Sequence, residues 1–303
     1  MKYKQSIRKI SIPSAAKINL HLSVLGKRTD GFHELLTVMS RLDLFDLVTL
    51  ERTDVKNELS CRCFGFEELD GEKNLAFKAV EFWRKETGLS FGIKIIIRKR
   101  IPPEAGLGGG SSNAMATLVG LNHWLFDPLE QSVLHRIGSN LGSDCPFFLY
   151  NDCCVAEGRG EKIRRLRIPA TRNLHGQQVF LFKPPIGLAT AEVFQSTKED
   201  KKYDDLNLTA RKAHKRLDSW EKGDLMDEDF MHNSLEKSVF KKFVFFSTLF
   251  ERLKRRFGIF SHMSGSGSCC FCFVTDKVSW EEFKECVRQA WGEESFLARA
   301  RIL

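Results

Sequence analysis

The sequence has no apolar run near the roughly 18 residues of a membrane span; FVFF at 243–246 is among its longest purely apolar stretches. A transmembrane anchor is therefore not expected. The first eighteen residues mix Lys2, Lys4, Arg8 and Lys9 with scattered apolar residues, and no continuous apolar stretch follows. That is not the pattern of a secretory signal, and the expectation is a cytoplasmic protein without a membrane partner. No second C-x-x-C pair accompanies Cys269 and Cys272, so the sequence does not assemble the usual zinc site and no metal ligand is assigned. Internal repeats are missing, and no low-complexity segment occurs beyond a charged stretch at 198–229.

What is present reads as a globular chain. Its 303 residues, 42% hydrophobic and 28% charged, suffice for one large domain or two ordinary ones. The nine cysteines are an odd number and are clustered, at Cys61 and Cys63, Cys153 and Cys154, and Cys269, Cys270 and Cys272 among them. SCCFCFV after a glycine-rich loop reads as a buried strand, where thiols act as small hydrophobes. The net charge of +8 fits an anionic partner. Its basic segments, IRKR at 97–100, KIRRLR at 162–167 and LKRRF at 253–257, are dispersed and lack interleaved aromatics. This argues against nucleic acid and leaves a small anionic ligand or a solvated basic surface.

Residues 16–25, AKINLHLSVL, alternate strictly: Ile18, Leu20, Leu22 and Val24 face one way, Lys17, Asn19, His21 and Ser23 the other. A polar face of this kind is either wet or lines a cleft. EKNLAFKAVEFWRKETG at 72–88 predicts an amphipathic helix with Leu75, Ala79 and Phe82 on one face and Gly88 ending it. FGIKIIIRK at 91–99 predicts a strand with Ile93, Ile95 and Ile97 inward, stopped by Pro102 and Pro103. Then comes PPEAGLGGGSSNA, followed by a helix carrying Leu118, Leu121 and Leu125 at helical spacing.

That glycine run lies between a strand and a helix, with Ser111 or Ser112 as the expected N-cap. Glycines let the backbone approach an oxygen closely, and a helix start attracts anions. No Lys-Ser or Lys-Thr pair closes the loop, so it is not a P-loop, and Ser111 stands where the third glycine of a dinucleotide fingerprint belongs. A phosphate held here needs its positive charge from elsewhere. Lys17 on the polar strand face, Asp144 in a Gly-Ser-Asp turn leading to an expected apolar strand, and a second loop, SGSGSC at 264–269, are the candidates. Each alone also has a bland reading as surface lysine, turn carboxylate and flexible loop. Further on, a strand is predicted in QQVFLFKPP, helices in TAEVFQSTKED, in 198–229 and in HNSLEKSVF to LFERLKRRF, then the loop SHMSGSGS, the strand CCFCFVTD and a last helix–strand pair.

Together these segments resemble the superfamily of galactokinase, homoserine kinase, mevalonate kinase and phosphomevalonate kinase. The resemblance rests on AKINLHL, DGFHEL, KRIPPEAGLGGGSSNA, LGSDCPFF and AEGRGE in order, and more weakly on PPIGLATAEVF, HNSLE and SGSGSC. It is strongest to the branch acting on a cytidine diphosphate derivative of methylerythritol. It implies a two-domain α+β fold, a ribosomal-S5-like N-terminal half (1–170) and a ferredoxin-like C-terminal half (171–303), with the active site in the cleft between them. It implies ATP and magnesium as cofactors. Lys17 and Asp144 take the catalytic positions. Pro102, Pro103, Glu104, Ala105, Gly106, Leu107, Gly108, Gly109, Gly110, Ser111 and Ser112 fall in the ATP-phosphate loop, and Asn74 and Lys99 near the adenine. Asn19, Phe32, His33, Thr190 and Phe194 fall at the small-molecule substrate, with His33 on the cytosine edge and the two phenylalanines stacking on the base. Three positions depart from the pattern: Phe32 where tyrosine is common, and Glu104 and Ala105 where some members have glycines. A carboxylate so near a phosphate loop should face solvent. Homoserine kinase chemistry, or an inactive nucleotide-binding protein on the same fold, are the alternatives; DGFHEL argues against the first, the presence of Lys17 and Asp144 against the second.

Overall fold

The computed structural model describes residues 8–124, 128–167, 174–200, 206–224, 227–276 and 278–303. In chain order come strands β1 (Lys9–Lys27), β2 (His33–Thr53) and β3 (Leu59–Phe64), helix α1 (Leu75–Thr87), strand β4 (Gly92–Arg98), and helices α2 (Gly109–Trp124) and α3 (Gln131–Leu141). Strands β5 (Cys154–Gly158), β6 (Lys162–Arg165) and β7 (Gln178–Lys183) follow, then helices α4 (Thr190–Asp200), α5 (Leu206–Lys222) and α6 (Asp227–Phe230). The chain closes with β8 (His232–Asn233), α7 (Glu236–Lys242), α8 (Phe245–Phe257), β9 (Ser261–Met263), β10 (Cys270–Phe273), α9 (Trp280–Trp291) and β11 (Phe296–Arg301). The described residues form two compact units, those within 8–16, 44–101 and 108–151 in one, those within 17–43, 102–107 and 152–303 in the other. The boundary expected near residue 170 falls within 168–173, outside the described residues.

In the first unit β4 is the middle strand. It runs antiparallel to the end of β2, from Leu47 opposite Arg98 to Thr53 opposite Gly92, and parallel to β3. Ile93, Ile95 and Ile97 are buried as their alternation requires. Parallel neighbours need a crossover, and α1 supplies it between β3 and β4. Gly88, at φ 69°, ends α1 with its N–H on the Arg84 carbonyl. The buried residues of α1 are Ala76, Phe77, Ala79, Val80 and Trp83; Ala79 faces inward as predicted, whereas Leu75 and Phe82 are only half-buried. Trp83 is fully buried and offers more apolar area than Phe82, so the helix is rotated to put the larger ring inside. Helix α2 is buried nearly all round, and Leu118 and Leu121 are inaccessible, while Leu125 lies outside the described residues. A Cβ on Gly120 would lie 2.5 Å from Ile12 Cδ1, which is why that position carries glycine.

In the second unit β7, β9, β10 and β11 form an antiparallel sheet in the order β11-β7-β10-β9. Strand, helices, two strands, helix, strand in that order is the ferredoxin-like arrangement. Phe180, Phe182, Cys270, Cys272, Phe246, Leu249, Phe283 and Val287 build its core with α8 and α9. Segment SHM, predicted as loop, is strand β9, held by β10 at Met263 opposite Cys270. The start of β2 pairs with β5, and β5 with β6 through a tight turn containing Gly158 and Gly160, both at positive φ. Strand β1 pairs in parallel with β8, His21 opposite His232 and Leu22 opposite Asn233. All nine cysteines are free and buried. Among the described residues no helix is long and apolar enough to cross a membrane.

Candidate active site

The helix after the glycine run begins at Gly109, so Ser111 and Ser112 sit inside its first turn and cannot cap it. Gly108, at φ 67°, makes the bend, and the Ser112 N–H closes the first turn on its carbonyl at 2.8 Å. A Cβ on Gly109 would be 3.0 Å from Ile101 Cγ2 and 3.1 Å from Lys99 Nζ, so the helix can start this early only on glycine. The first-turn N–H groups of Gly109, Gly110 and Ser111 have no acceptor within the helix, and they stand at the positive end of its dipole. Such an arrangement can hold an anion by backbone groups alone.

Beneath it lies a buried network that the sequence did not announce. Lys99 Nζ pairs with Asp46 Oδ2 at 2.5 Å, the two side chains 3% and 0% exposed. Asp46 also accepts the N–H groups of Arg100 (2.7 Å) and Ile101 (2.8 Å) and the Asn113 amide (2.9 Å). Asn113 accepts from Lys99 and donates to Ser14, whose hydroxyl donates to Ser112 at 2.7 Å. Thus the ammonium of Lys99 is engaged in fastening the end of β4 to the first turns of α2. Asn74 is likewise engaged. It caps α1 by accepting the Ala76 N–H and donates to the Leu69 carbonyl and the Cys63 thiol.

Asp144 precedes a 3-10 helix, Cys145–Leu149, where the sequence suggested a strand. Pro146 near its start lacks an N–H and fixes φ, which suits a helical turn and not a ladder. The carboxylate is half-buried. Its neighbour Cys145 is hydrogen-bonded with Ser111 of α2, and burial pushes that thiol up to about 12. The Asp144 turn is therefore tied to the first turn of the glycine-started helix.

The second unit holds the other candidates. All four polar residues of the alternating strand, Lys17, Asn19, His21 and Ser23, are buried, so this face is not wet. Lys17 Nζ donates to Asn19 Oδ1 at 2.5 Å; Asn19 Nδ2 donates to Thr37 Oγ1 at 2.8 Å, and Thr37 to the His21 carbonyl at 2.7 Å. The second glycine loop closes over the lysine: a Cβ on Gly265 would be 3.1 Å from both Lys17 Nζ and Asn19 Oδ1. The stretch Pro102 to Leu107 packs against that loop. Leu107 accepts the Lys17 N–H, Gly106 accepts the Ser264 hydroxyl, and Ala105 accepts the Cys269 N–H at 3.1 Å. Gly106 leaves no space for a side chain, since a Cβ would lie 2.0 Å from the Ser264 carbonyl oxygen. Glu104 is exposed, as the phosphate-loop expectation required, with its carboxylate against Gly187.

Phe32 is 47% exposed, with the Arg159 guanidinium over its ring at 5.1 Å. His33 is buried and stacked on Phe194, ring centroids 5.3 Å apart at 29°. Thr190 is exposed at the start of α4 and shares a hydrogen bond with Ser266 of the second glycine loop at 2.9 Å. The unit thus gathers Lys17, Asn19, Thr190 and the second glycine loop through direct contacts, and presents one exposed and two stacked rings.

Residues 74–152 match the family model described as GHMP kinases N terminal domain, and residues 210–293 that described as GHMP kinases C terminal. With the strand-to-helix glycine loop these matches define the class: GHMP kinases, ATP-using phosphotransferases with an alcohol acceptor. A 4-diphosphocytidyl-2-C-methyl-D-erythritol kinase of Thermodesulfovibrio yellowstonii is 33% identical over 270 residues, 87% of this chain and 89% of the relative. One from Alkaliphilus metalliredigens is 35% identical over 268 residues, 88% of each chain. The chain belongs to the 4-diphosphocytidyl-2-C-methyl-D-erythritol kinase family. A crystal structure of 4-(cytidine 5'-diphospho)-2C-methyl-D-erythritol kinase superposes with a TM-score of 0.69 at 28% identity, covering 96% of this chain and 99% of that one. Homoserine kinase from Cytophaga hutchinsonii superposes with a TM-score of 0.73 at only 16% identity, over 100% of this chain and 97% of that one. The fold is therefore common to several acceptors, and the acceptor must be argued from the site.

Proposed function

We propose that this chain transfers the terminal phosphoryl group of ATP to the 2-hydroxyl of 4-diphosphocytidyl-2-C-methyl-D-erythritol, a cytoplasmic step of the non-mevalonate route to isoprenoid precursors. The observation that carries the acceptor is the His33–Phe194 ring pair beside the exposed Phe32. A cytosine offers a flat face for stacking and a polar edge for an imidazole, and this cluster supplies both.

The acceptor is a crowded tertiary alcohol that holds its proton far above neutral pH. Asp144 accepts or orients that proton, and the Lys17 ammonium offsets negative charge growing on the oxygen. Asn19 and Thr37 aim Lys17. The N–H groups of Gly109, Gly110 and Ser111 hold phosphate oxygens with oriented dipoles, which need no reorganisation during transfer. Pro102 to Leu107 carry the loop into that helix, and Asn74 and Lys99 act on the adenine side by shaping the wall, their polar atoms being used internally. Thr190 reaches substrate from α4.

Among the described residues no group of three His, Cys, Asp or Glu side chains could cage a metal ion. Magnesium carried on nucleotide phosphates needs only one or two protein oxygens, a requirement the Ser111 hydroxyl fits from the first turn of α2. When bound it would neutralise charge on the phosphate oxygens.

The test is ATP consumption by the purified chain with magnesium against 4-diphosphocytidyl-2-C-methyl-D-erythritol, homoserine and mevalonate. Turnover confined to the cytidine compound is expected. Turnover with homoserine instead would discard the ring cluster as a base site, and no turnover with any acceptor would point to an inactive nucleotide-binding protein.

A further inference from the structure

The segment HNSLE, residues 232–236, has no part in the chemistry above, yet two of its polar side chains, Asn233 and Glu236, are spent on one target. Asn233 is 3% exposed. Its amide nitrogen donates to the carbonyls of Met263 (2.7 Å) and Gly265 (2.8 Å), and its oxygen accepts the Leu235 N–H at 2.9 Å. Two carbonyls on either side of Ser264 are thus held by one nitrogen. Glu236 adds a second fastening, accepting the Met263 N–H at 2.7 Å. The clamp closes on the entry to the second glycine loop.

That loop entry is where Lys17 is seated. Gly265 adopts φ 55°, and its α-carbon approaches so closely that a Cβ would stand 3.1 Å from Lys17 Nζ and Asn19 Oδ1. Ser264 accepts the Asn19 N–H at 3.3 Å and donates to the Gly106 carbonyl at 3.0 Å. Asn233 itself lies on β8, paired with Leu22 of the strand that carries Lys17. A ring of contacts results: β1 to β8, β8 through Asn233 to Gly265, and Gly265 back to Lys17 and Asn19. Two N–H donors on one buried nitrogen are what the ring needs, and among compact side chains only the Asn amide provides them.

We propose that Asn233 is a positioning residue for phosphoryl transfer, fixing the backbone of Gly265 over Lys17 and Asn19. The proposal rests on the kinase reading, which the unsubstituted chain's own turnover checks separately.

Asn233→Asp is the sharpest variant, because it keeps the shape and turns a double donor into an acceptor facing two carbonyl oxygens. Kinetics and thermal unfolding of the full chain would be compared with the unsubstituted protein at pH 6 and pH 8. At pH 8, kcat is expected to fall about 30-fold or more, with KM for ATP within about threefold. At pH 6 a protonated carboxyl can again donate to one carbonyl, and the deficit should shrink about fivefold or more. Glu236, His232, His262 and the charged Lys17 lie around the clamp in both proteins; the deficit is therefore read as a ratio to the unsubstituted chain at each pH, with Asn233→Ser, which adds no charge, as the control whose ratio should not change with pH. Asn233→Ser, which keeps one small donor, should fall between the two. A folded Asn233→Asp with kcat within threefold at pH 8, or with a deficit that does not change with pH, would overturn the proposal. Failure of both variants to fold would also overturn it, assigning these bonds to the stability of the fold alone.

Discussion

Replacing Glu236 by glutamine leaves the side-chain shape and the acceptor for the Met263 N–H, and removes only a titrating proton. Burial pushes this carboxyl up to about 7 from its ordinary 4.5, and the Met263 N–H opposes the rise. His262, whose Nδ1 lies 3.8 Å away, offers no counter-charge at neutral pH, because burial pulls it down to about 4. The folded chain therefore keeps a proton that the unfolded chain releases between pH 4.5 and 7, and stability falls as pH rises through that window. The displacement corresponds to about 3 kcal/mol at 1.36 per unit, and water at a carboxylate 20% exposed reduces it to about 2 kcal/mol. At pH 8 Glu236→Gln should be more stable than the unsubstituted chain by about 2 kcal/mol, and at pH 5 the two should agree within about 0.5 kcal/mol. His21 and His262, both held near 4 by burial, act in the opposite sense, losing stability as pH falls from 6.5. They are present in both proteins and cancel in the difference. Urea unfolding at the two pH values reads the effect. Equal stability at pH 8, or an advantage that grows toward pH 5, would refute the assignment of a buried, proton-holding Glu236.

Asp144→Asn should lower kcat about a thousandfold or more while ATP binding, read by calorimetry, stays within about threefold; turnover retained within tenfold would remove Asp144 from proton handling. Lys99→Met leaves Asp46 charged and inaccessible with only neutral donors, so a loss of about 3 kcal/mol is expected in urea unfolding, partly restored by adding Asp46→Asn. A Lys99→Met protein of unchanged stability would show that Asp46 does not need the ion pair.

Much of this was legible in the residue pattern, and the gaps have physical reasons. The alternation of 16–25 and of 91–99 gave strands and faces correctly, because period two survives any packing. The glycine loop was visible, but its helix starts at Gly109 and not at a serine cap, since the close approach to Ile101 and Lys99 is a tertiary constraint. The rotation of α1 toward Trp83 has the same origin: two adjacent large rings compete, and packing chooses. Asp46 sits in LDLFDLVTL with nothing local to mark it, and its four partners are brought in by the fold from the three residues that follow β4 and from α2. Pro146 was the available signal against a strand after Asp144. Lys17 and Asn19 stand on the polar face that the alternation of one strand displays, while Asn233 and Glu236, which hold the loop above them, come from a segment 216 positions after Lys17.

The nine buried thiols give the chain an unusual relation to oxidants. Eight are pushed up by their surroundings and stay protonated, mostly through burial; only Cys63 is lowered, by its hydrogen bond with Cys61. A thiolate, not a thiol, reacts with peroxides or alkylating agents. Chemical damage to this enzyme is thus gated by how often its core opens, and ligands that hold the fold closed act, in effect, as antioxidants for it.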